Sequence, residues 1–174
     1  MLSEKRLNLR RLEAPDVHAV LGIIDACRRE YGLADRVQAI LEPSDRHLYE
    51  TYGVRRSAYF VAIVDDEIVG GAGISRLPGS DGSICELQRM YLRQRSRGEG
   101  IGRALLQQCL QAARRFGYRQ CYAETIGEMG TALSLYESHG FRQLEAPLGS
   151  TGHGHNNRWL ILGLQPSGTR SLGI

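Results

Sequence analysis

The stretch "RQRSRGEGIGRALL", Arg93 to Leu106, constrains this chain more than any other. It sets three glycines and four arginines between a segment that reads as a strand and one that reads as a helix. The first turn of a helix presents backbone N–H groups without intrahelical acceptors and carries about half a positive charge. Glycines let a bulky anion approach that backbone closely. Gly98, Gly100 and Gly102 are placed to form such a cradle, and Arg93, Arg95, Arg97 and Arg103 would add positive charge around it. A flexible turn with solvated arginines is the alternative. Two known phosphate loops fail here. The G-x-x-x-x-G-K-S/T loop needs a lysine that follows none of these glycines, and G-x-G-x-x-G breaks at Arg103, although Glu124 stands roughly 20 residues on, where that motif wants an acid.

The segments around the junction fall into one succession. "RLNLRRL" alternates like a short strand, and Pro15 suits the helix start after it. Val17, Val20, Leu21, Ile24 and Cys27 recur at helical spacing, with Gly32 just beyond the helix end. Ser44 and Asp45 are candidate caps for a second helix holding Leu48 and Tyr52. "SAYFVAIVDDEIVGGAGISRL" reads as a hairpin turning at Asp65 and Asp66, and "ICELQRMYL" as the strand that enters the junction. From Ile101, residues Leu105, Cys109, Ala112 and Phe116 mark one helical face, closed by Gly117. "RQCYAET", "MGTALSLYESHGF" and "RWLILGL" supply a strand, a helix ended by Gly140 and a last strand. An antiparallel hairpin region thus feeds one parallel βαβ unit in a mixed-sheet α/β domain, read as a single domain over 1–174.

Composition narrows the partners. The net charge of +3, from 22 basic and 19 acidic side chains, is too slight to mark a nucleic-acid binder. "MLSEKRLNLRRLEAPD" has no apolar signal-like core, and "AYFVAIV", the longest apolar run, is far shorter than a bilayer span. The expectation is a cytoplasmic protein without membrane contact. Cys27, Cys85, Cys109 and Cys121 lack C-x-x-C spacing and sit inside elements, which predicts buried reduced thiols.

The string "RSRGEG", Arg95 to Gly100, resembles the Q/R-x-x-G-x-G/A motif of the GCN5-related N-acetyltransferase (GNAT) superfamily, at the strand-to-helix junction where that family carries it. "EAPD", "IVGGAGI", "ELQRMYL", "YAET" and "LYESHGF" follow the family's order and spacing across most of the chain. The resemblance implies a GNAT-like, mostly antiparallel twisted sheet with a central parallel βαβ unit and flanking helices. It implies acetyl-CoA as acyl donor, its pyrophosphate held by the amides from Arg97 through Gly98, Glu99, Gly100, Ile101 and Gly102 to Arg103, with Arg95 alongside. The pantetheine arm would lie between two splayed strands on backbone groups of Met90 and Leu92, and the Tyr91 amide would face the oxyanion. Tyr136 is similar to the family's general acid beside the sulfur. Met129 stands where many members have a coenzyme-binding Asn, which leaves Thr125 as a substitute contact. Dimers are common in such proteins, so a homodimer is open.

Glu86 falls on a strand expected to be central, where a carboxylate is costly unless paired or working. Burial would raise its pKa towards the range of a general base for an ammonium, with Gln88 on the same strand face to orient the acceptor or a water. A structural salt bridge to a nearby arginine is the other reading of Glu86, and a core aromatic that of Tyr136. Glu124 and Thr125 are expected to face the same cleft. The loop "PLGSTGHGHNN" carries His153 and His155, whose two nitrogens alone make no metal site. Acceptor recognition, with Asn156, Asn157 and Arg158, or a plain surface loop are the two readings kept for it. Tyr31, Tyr49 and Tyr52 are candidate acceptor linings. The function expected is acetyl transfer to a primary amine of a small molecule, amino acid or peptide by direct attack, no cysteine being placed for a covalent route. A coenzyme-A-binding sensor or scaffold without turnover is the rival.

Overall fold

The computed structural model describes residues 6–32, 47–127 and 129–164. Ser44 and Asp45, the candidate caps, lie outside those residues. The elements are β1 (Leu7–Arg11), α1 (Val17–Glu30), α2 (Leu48–Gly53), β2 (Ala58–Val64), β3 (Glu67–Arg76) and β4 (Ile84–Leu92), then α3 (Ile101–Arg115), β5 (Gln120–Thr125), α4 (Gly130–Ser138), β6 (Arg142–Leu144) and β7 (Arg158–Gly163). The strands form one sheet in the order β1-β2-β3-β4-β5-β7-β6. Only β4 and β5 pair in parallel, around α3, as the sequence leads one to expect. Asp65 and Asp66 both take positive φ, 48° and 67°, the left-handed pair that a two-residue hairpin turn between β2 and β3 requires.

Period-two alternation gives the sheet two apolar faces. One carries Phe60, Ala62, Ile74, Cys85, Leu87, Cys121 and Ala123 and is covered by α3 through Leu105, Leu106 and Cys109, with Tyr136 of α4 in the same cluster. Each fully buried leucine of this kind contributes roughly 1.5–3 kcal/mol. The other face carries Tyr59, Val61 and Tyr91 under α1 and α2, against Val20, Ile24, Leu48 and Tyr52. All four cysteines are buried free thiols, as their spacing foretold.

Two irregularities of β4 position the site. Its antiparallel register with β3 slips between Gly71↔Tyr91 and Gly73↔Gln88, and Arg89 sits in the bulge at φ 49°. Its parallel register with β5 ends at Leu87↔Ala123, although β4 runs on to Leu92 and β5 to Thr125. Beyond that pair the two central strands part.

Candidate active site

On the α1–α2 face, where β4 and β5 separate, the side chains of Glu86, Gln88, Tyr52 and Arg89 form one directed chain. Arg89 donates to the Tyr52 hydroxyl at 3.0 Å, Tyr52 donates to Gln88 Oε1 at 2.9 Å, and Gln88 Nε2 donates to Glu86 Oε2 at 2.6 Å. Every bond points from cation to carboxylate, so each polarises the next. The bulge makes this possible. An extra residue turns Arg89 to the same face as Gln88, and the Tyr59 hydroxyl holds it by donating to the Arg89 carbonyl at 3.0 Å. Room for the two tyrosines comes from β3. A Cβ on Gly73 would stand 2.6 Å from the Tyr52 ring and 2.7 Å from that of Tyr59.

Glu86 is 2% exposed. Burial is the main cause that lifts its pKa to about 7, and the Gln88 hydrogen bond, His153 and Arg89 restrain the rise while Glu124 adds to it. Glu124 lies beside it on β5 and has the opposite fate. Burial favours its protonated form, but His153, Asn156, Tyr122 and Thr151 together outweigh that and hold its pKa below the usual carboxylate range. Tyr122 donates to Glu124 at 2.8 Å, Thr151 at 2.9 and 3.0 Å to its two oxygens, and Asn156 at 3.0 Å. Glu124 therefore anchors the loop between β6 and β7. That loop brings His153 Nδ1 to 3.5 Å from Glu124 and 3.8 Å from Glu86. One atom each of Glu86, Glu124 and His153 lie within 4.8 Å of one another. With three other side chains donating to Glu124, the group is a hydrogen-bonded cluster.

Tyr136 approaches from the other face. Its hydroxyl lies 3.9 Å from Met90 Sδ, its ring packs on Phe141 at 5.6 Å between centroids, and burial pushes its pKa well above that of a free phenol. Met90 and Leu92 point to this α3–α4 face and Tyr91 to the α1 face. Below the parting of the strands, the αL glycines Gly98 and Gly100, φ 79° and 80°, lead into α3, with open space where a Cβ would stand on either. The amides of Ile101, Gly102 and Arg103 open the helix without intrahelical acceptors. Free amides at a glycine-lined helix start are groups from which an anion can accept hydrogen bonds.

A profile of the acetyltransferase (GNAT) family matches residues 22–141, which hold both the cradle and the parted strands. The chain belongs to this family. It is 39% identical over 146 residues, 83% of its own length and 87% of the other's, to YjgM, an uncharacterized N-acetyltransferase of Escherichia coli strain K12. Its fold is that of a GNAT-family acetyltransferase from Staphylococcus aureus Mu50, with a TM-score of 0.79 at 21% identity over 92% of this chain and 100% of that one. A Salmonella typhimurium putative acetyltransferase, yncA, whose structure contains acetyl-CoA, gives 0.74 at 18% identity over 97% of this chain and 99% of its own.

Within this GNAT acetyltransferase not every residue singled out from the sequence lies where expected. Arg97 turns its guanidinium away from the cradle. It forms a two-pronged pair with Glu30 at 2.5 and 2.8 Å, donates to the Leu92 carbonyl at 3.0 and 3.1 Å, and uses its own amide in a turn to Gln94. Arg95 pairs with Glu67 at the far end of the β2–β3 hairpin. The positive potential of the cradle thus comes chiefly from backbone. Glu124 and Thr125 do not share a cleft face, since neighbours on a strand point oppositely. Glu124 faces Glu86, while Thr125 is buried with its hydroxyl 3.5 Å from the Ile126 carbonyl. Met129 takes the N-cap position of α4. Of the tyrosines expected to line the acceptor side, Tyr52 joins the Glu86 chain, Tyr31 packs on Arg97 and Tyr49 is exposed. The Arg89 bulge, Tyr59, Thr151 and the anchoring role of Glu124 went unread. Only the glycines of "IVGGAGI" hinted that bulky rings cross β3 there. Among the described residues no helix is long and apolar enough to cross a membrane.

Proposed function

We propose that this acetyltransferase moves an acetyl group from acetyl-CoA to the primary amine of a small molecule, amino acid or peptide by direct attack within a ternary complex. The observation that carries the reading is that Glu86 and Tyr136 flank β4 from its two faces, Glu86 bonded to Gln88 on the α1 side and the Tyr136 hydroxyl 3.9 Å from Met90 Sδ on the α3–α4 side. The cradle fits the co-substrate: two αL glycines leave the backbone bare of side chains, and the α3 amides point at the place a pyrophosphate would take. Acetyl-CoA supplies an activated thioester, and the residues of the chain handle the protons. Glu86, with a pKa of about 7, is ionised in a useful fraction at neutral pH and takes a proton from the acceptor ammonium, freeing the nitrogen lone pair. The Tyr91 amide is assigned to the oxyanion. Tyr136 keeps its phenol proton at neutral pH because burial raises its pKa, so it can protonate the departing thiolate.

A route through an acyl-cysteine is disfavoured by the thiols themselves. Burial pushes the Cys27 and Cys109 pKa values up, and the Cys85 contact with burial does the same for Cys121, so thiolates are scarce where nucleophiles would be needed. The test is coenzyme release measured with acetyl-CoA over a panel of amines, alongside calorimetric titration with acetyl-CoA. Turnover lost in Glu86→Gln at unchanged acetyl-CoA affinity supports the enzyme. Binding without turnover on any amine favours the non-catalytic coenzyme sensor, and absence of binding overturns both.

A further inference from the structure

Glu86 poses a problem that the acetyl transfer alone does not solve. Its side chain is 3% exposed, so a proton taken from each acceptor ammonium must leave, before the next turnover, a carboxyl that presents very little surface to bulk water. The groups facing it are few. From β4 come Gln88 and Arg89, from α2 Tyr52, from β5 Tyr122 and Glu124, and from the β6–β7 loop His153. Gln88 already donates to Glu86, and Arg89 holds its protons throughout the working pH range. Burial keeps Tyr52 and Tyr122 protonated, and Glu124 is held ionised by its donors. None of these exchanges a proton readily near neutrality. An imidazole does.

We infer that His153 is the proton exit of the site, carrying the proton from Glu86 to solvent between turnovers. The inference rests on the reading of Glu86 as base. His153 Nδ1 stands 3.8 Å from Glu86 Oε1, and its side chain, 25% exposed, bridges the buried carboxyl and the surface. Such distances commonly close to hydrogen-bond length, or are spanned by one water, in the working complex. The ring is held there by construction. Thr151 Oγ1 accepts the His153 amide at 3.3 Å while donating to Glu124, and the Asn156 amide donates to the His153 carbonyl at 3.0 Å. The Ser150 amide ties the same loop to the Pro78 carbonyl at 2.9 Å, and that of Asn157 to the Thr125 carbonyl at 3.2 Å. Glu124 is thus a positioning residue that fixes His153 rather than a contact for the acceptor.

The proton balance is simple. The step starts from the tautomer with its proton on Nε2: the O–H bond of protonated Glu86 breaks and an N–H bond forms at Nδ1, giving a carboxylate and an imidazolium whose Nδ1–H then faces Glu124 at 3.5 Å. The imidazolium then loses a proton to water or buffer, and exchange with water restores the starting tautomer. The His155 ring, 6.0 Å from that of His153 between centroids, lies further along the same loop.

The test compares wild type, His153→Ala and His153→Gln by kcat and acceptor KM across pH 6–9, at low and high buffer concentration and with added imidazole, with Glu86→Gln as a control. The relay requires kcat to fall ~10-fold or more in both His153 variants at low buffer, with acceptor KM little changed and imidazole restoring the rate. Variant rates independent of buffer and equal to wild type overturn it. A raised acceptor KM without rescue also overturns it, and returns the loop to acceptor recognition. If Glu86→Gln itself turns over normally, the base reading falls first. If Glu86→Gln is inactive while the His153 variants are normal, only the relay falls.

Discussion

The side-chain amide of Gln88 presents its nitrogen to Glu86 because its oxygen is already claimed, by the Tyr52 hydroxyl at 2.9 Å and the Ser75 hydroxyl at 3.0 Å. The amide cannot flip without turning its oxygen onto the Glu86 carboxylate and taking away the acceptor to which both hydroxyls donate. Gln88 is thereby a fixed donor that favours the ionised form of Glu86. In Gln88→Leu that donor is gone, so the Glu86 pKa rises further above about 7. A hydrogen bond to a charged group is worth about 1.5–3 kcal/mol, which moves the acidic limb of a kcat–pH profile up by roughly one unit or more. A limb that stays in place would detach Gln88 from the base.

Glu86 also makes stability depend on pH. Its folded pKa, about 7, exceeds the ordinary carboxylate value of 4.5, so the folded state holds the proton more tightly. The stabilisation is fully present below pH 4.5 and is lost as pH rises through 7. Glu86→Gln removes that loss, and the variant should gain up to about 3 kcal/mol relative to wild type at pH 8.5. Denaturant titrations at pH 5 and pH 8.5 give the comparison. A gain no larger at pH 8.5 than at pH 5 would contradict a raised pKa.

Tyr136→Phe keeps the ring that packs on Phe141 and removes only the hydroxyl beside Met90. Stability should change by less than about 1.5 kcal/mol and acetyl-CoA affinity hardly at all. Turnover should fall by ~10²-fold or more if the phenol protonates the leaving thiolate. Stopped-flow coenzyme release reads this directly, and unchanged turnover removes Tyr136 from the mechanism.

Gly100 has free space around it, so a substitution there is opposed by backbone geometry alone. At φ 80°, Gly100→Val should cost about 1–3 kcal/mol in stability. It should also weaken acetyl-CoA binding by reshaping the cradle. Gly102→Ala, whose Cβ would meet only ordinary contacts at 3.4–3.5 Å, should be mild in stability. Thermal melts with and without acetyl-CoA separate the two effects. Equal affinities for the wild type and the Val variant would sink the cradle.

Arg97→Ala should lower stability by about 1–3 kcal/mol, since Glu30 and the Leu92 carbonyl lose a shared donor. Acetyl-CoA affinity should fall far less than in Gly100→Val, because this guanidinium faces α1. A loss of affinity as large as that of the glycine variant would return Arg97 to the phosphates.

The difference between what was legible in the sequence and what was not follows distance along the chain. Strands, helices and the parallel unit rest on local patterns such as the Asp65–Asp66 turn or the stop at Gly117, and these are visible in short windows. The orientation of Arg97 depends on Glu30, 67 positions away, and the charge state of Glu124 on Thr151, 27 positions downstream. Nothing near either residue announces its partner. Glu86 was legible because a lone carboxylate in an apolar strand stands out locally, whereas the bulge at Arg89 depends on pairing with β3 and leaves no trace in β4 itself.

The bulge has a consequence for length variation in this strand. Before it, even positions Glu86 and Gln88 face α1 and odd positions Cys85 and Leu87 face α3; after it, odd Tyr91 faces α1 and even Met90 and Leu92 face α3. Arg89 works as a phase shifter, letting one strand write a polar message and then an apolar one on the sides where each is needed. Deleting that single residue would restore strict alternation and leave every remaining side chain on its present face, with Gln88 and Tyr91 towards α1 and Met90 and Leu92 towards α3. What the deletion takes away is the guanidinium that donates to Tyr52 and heads the chain ending on Glu86. A gap of one residue at this point should therefore spare the packing of the strand and fall on the charge beside Tyr52.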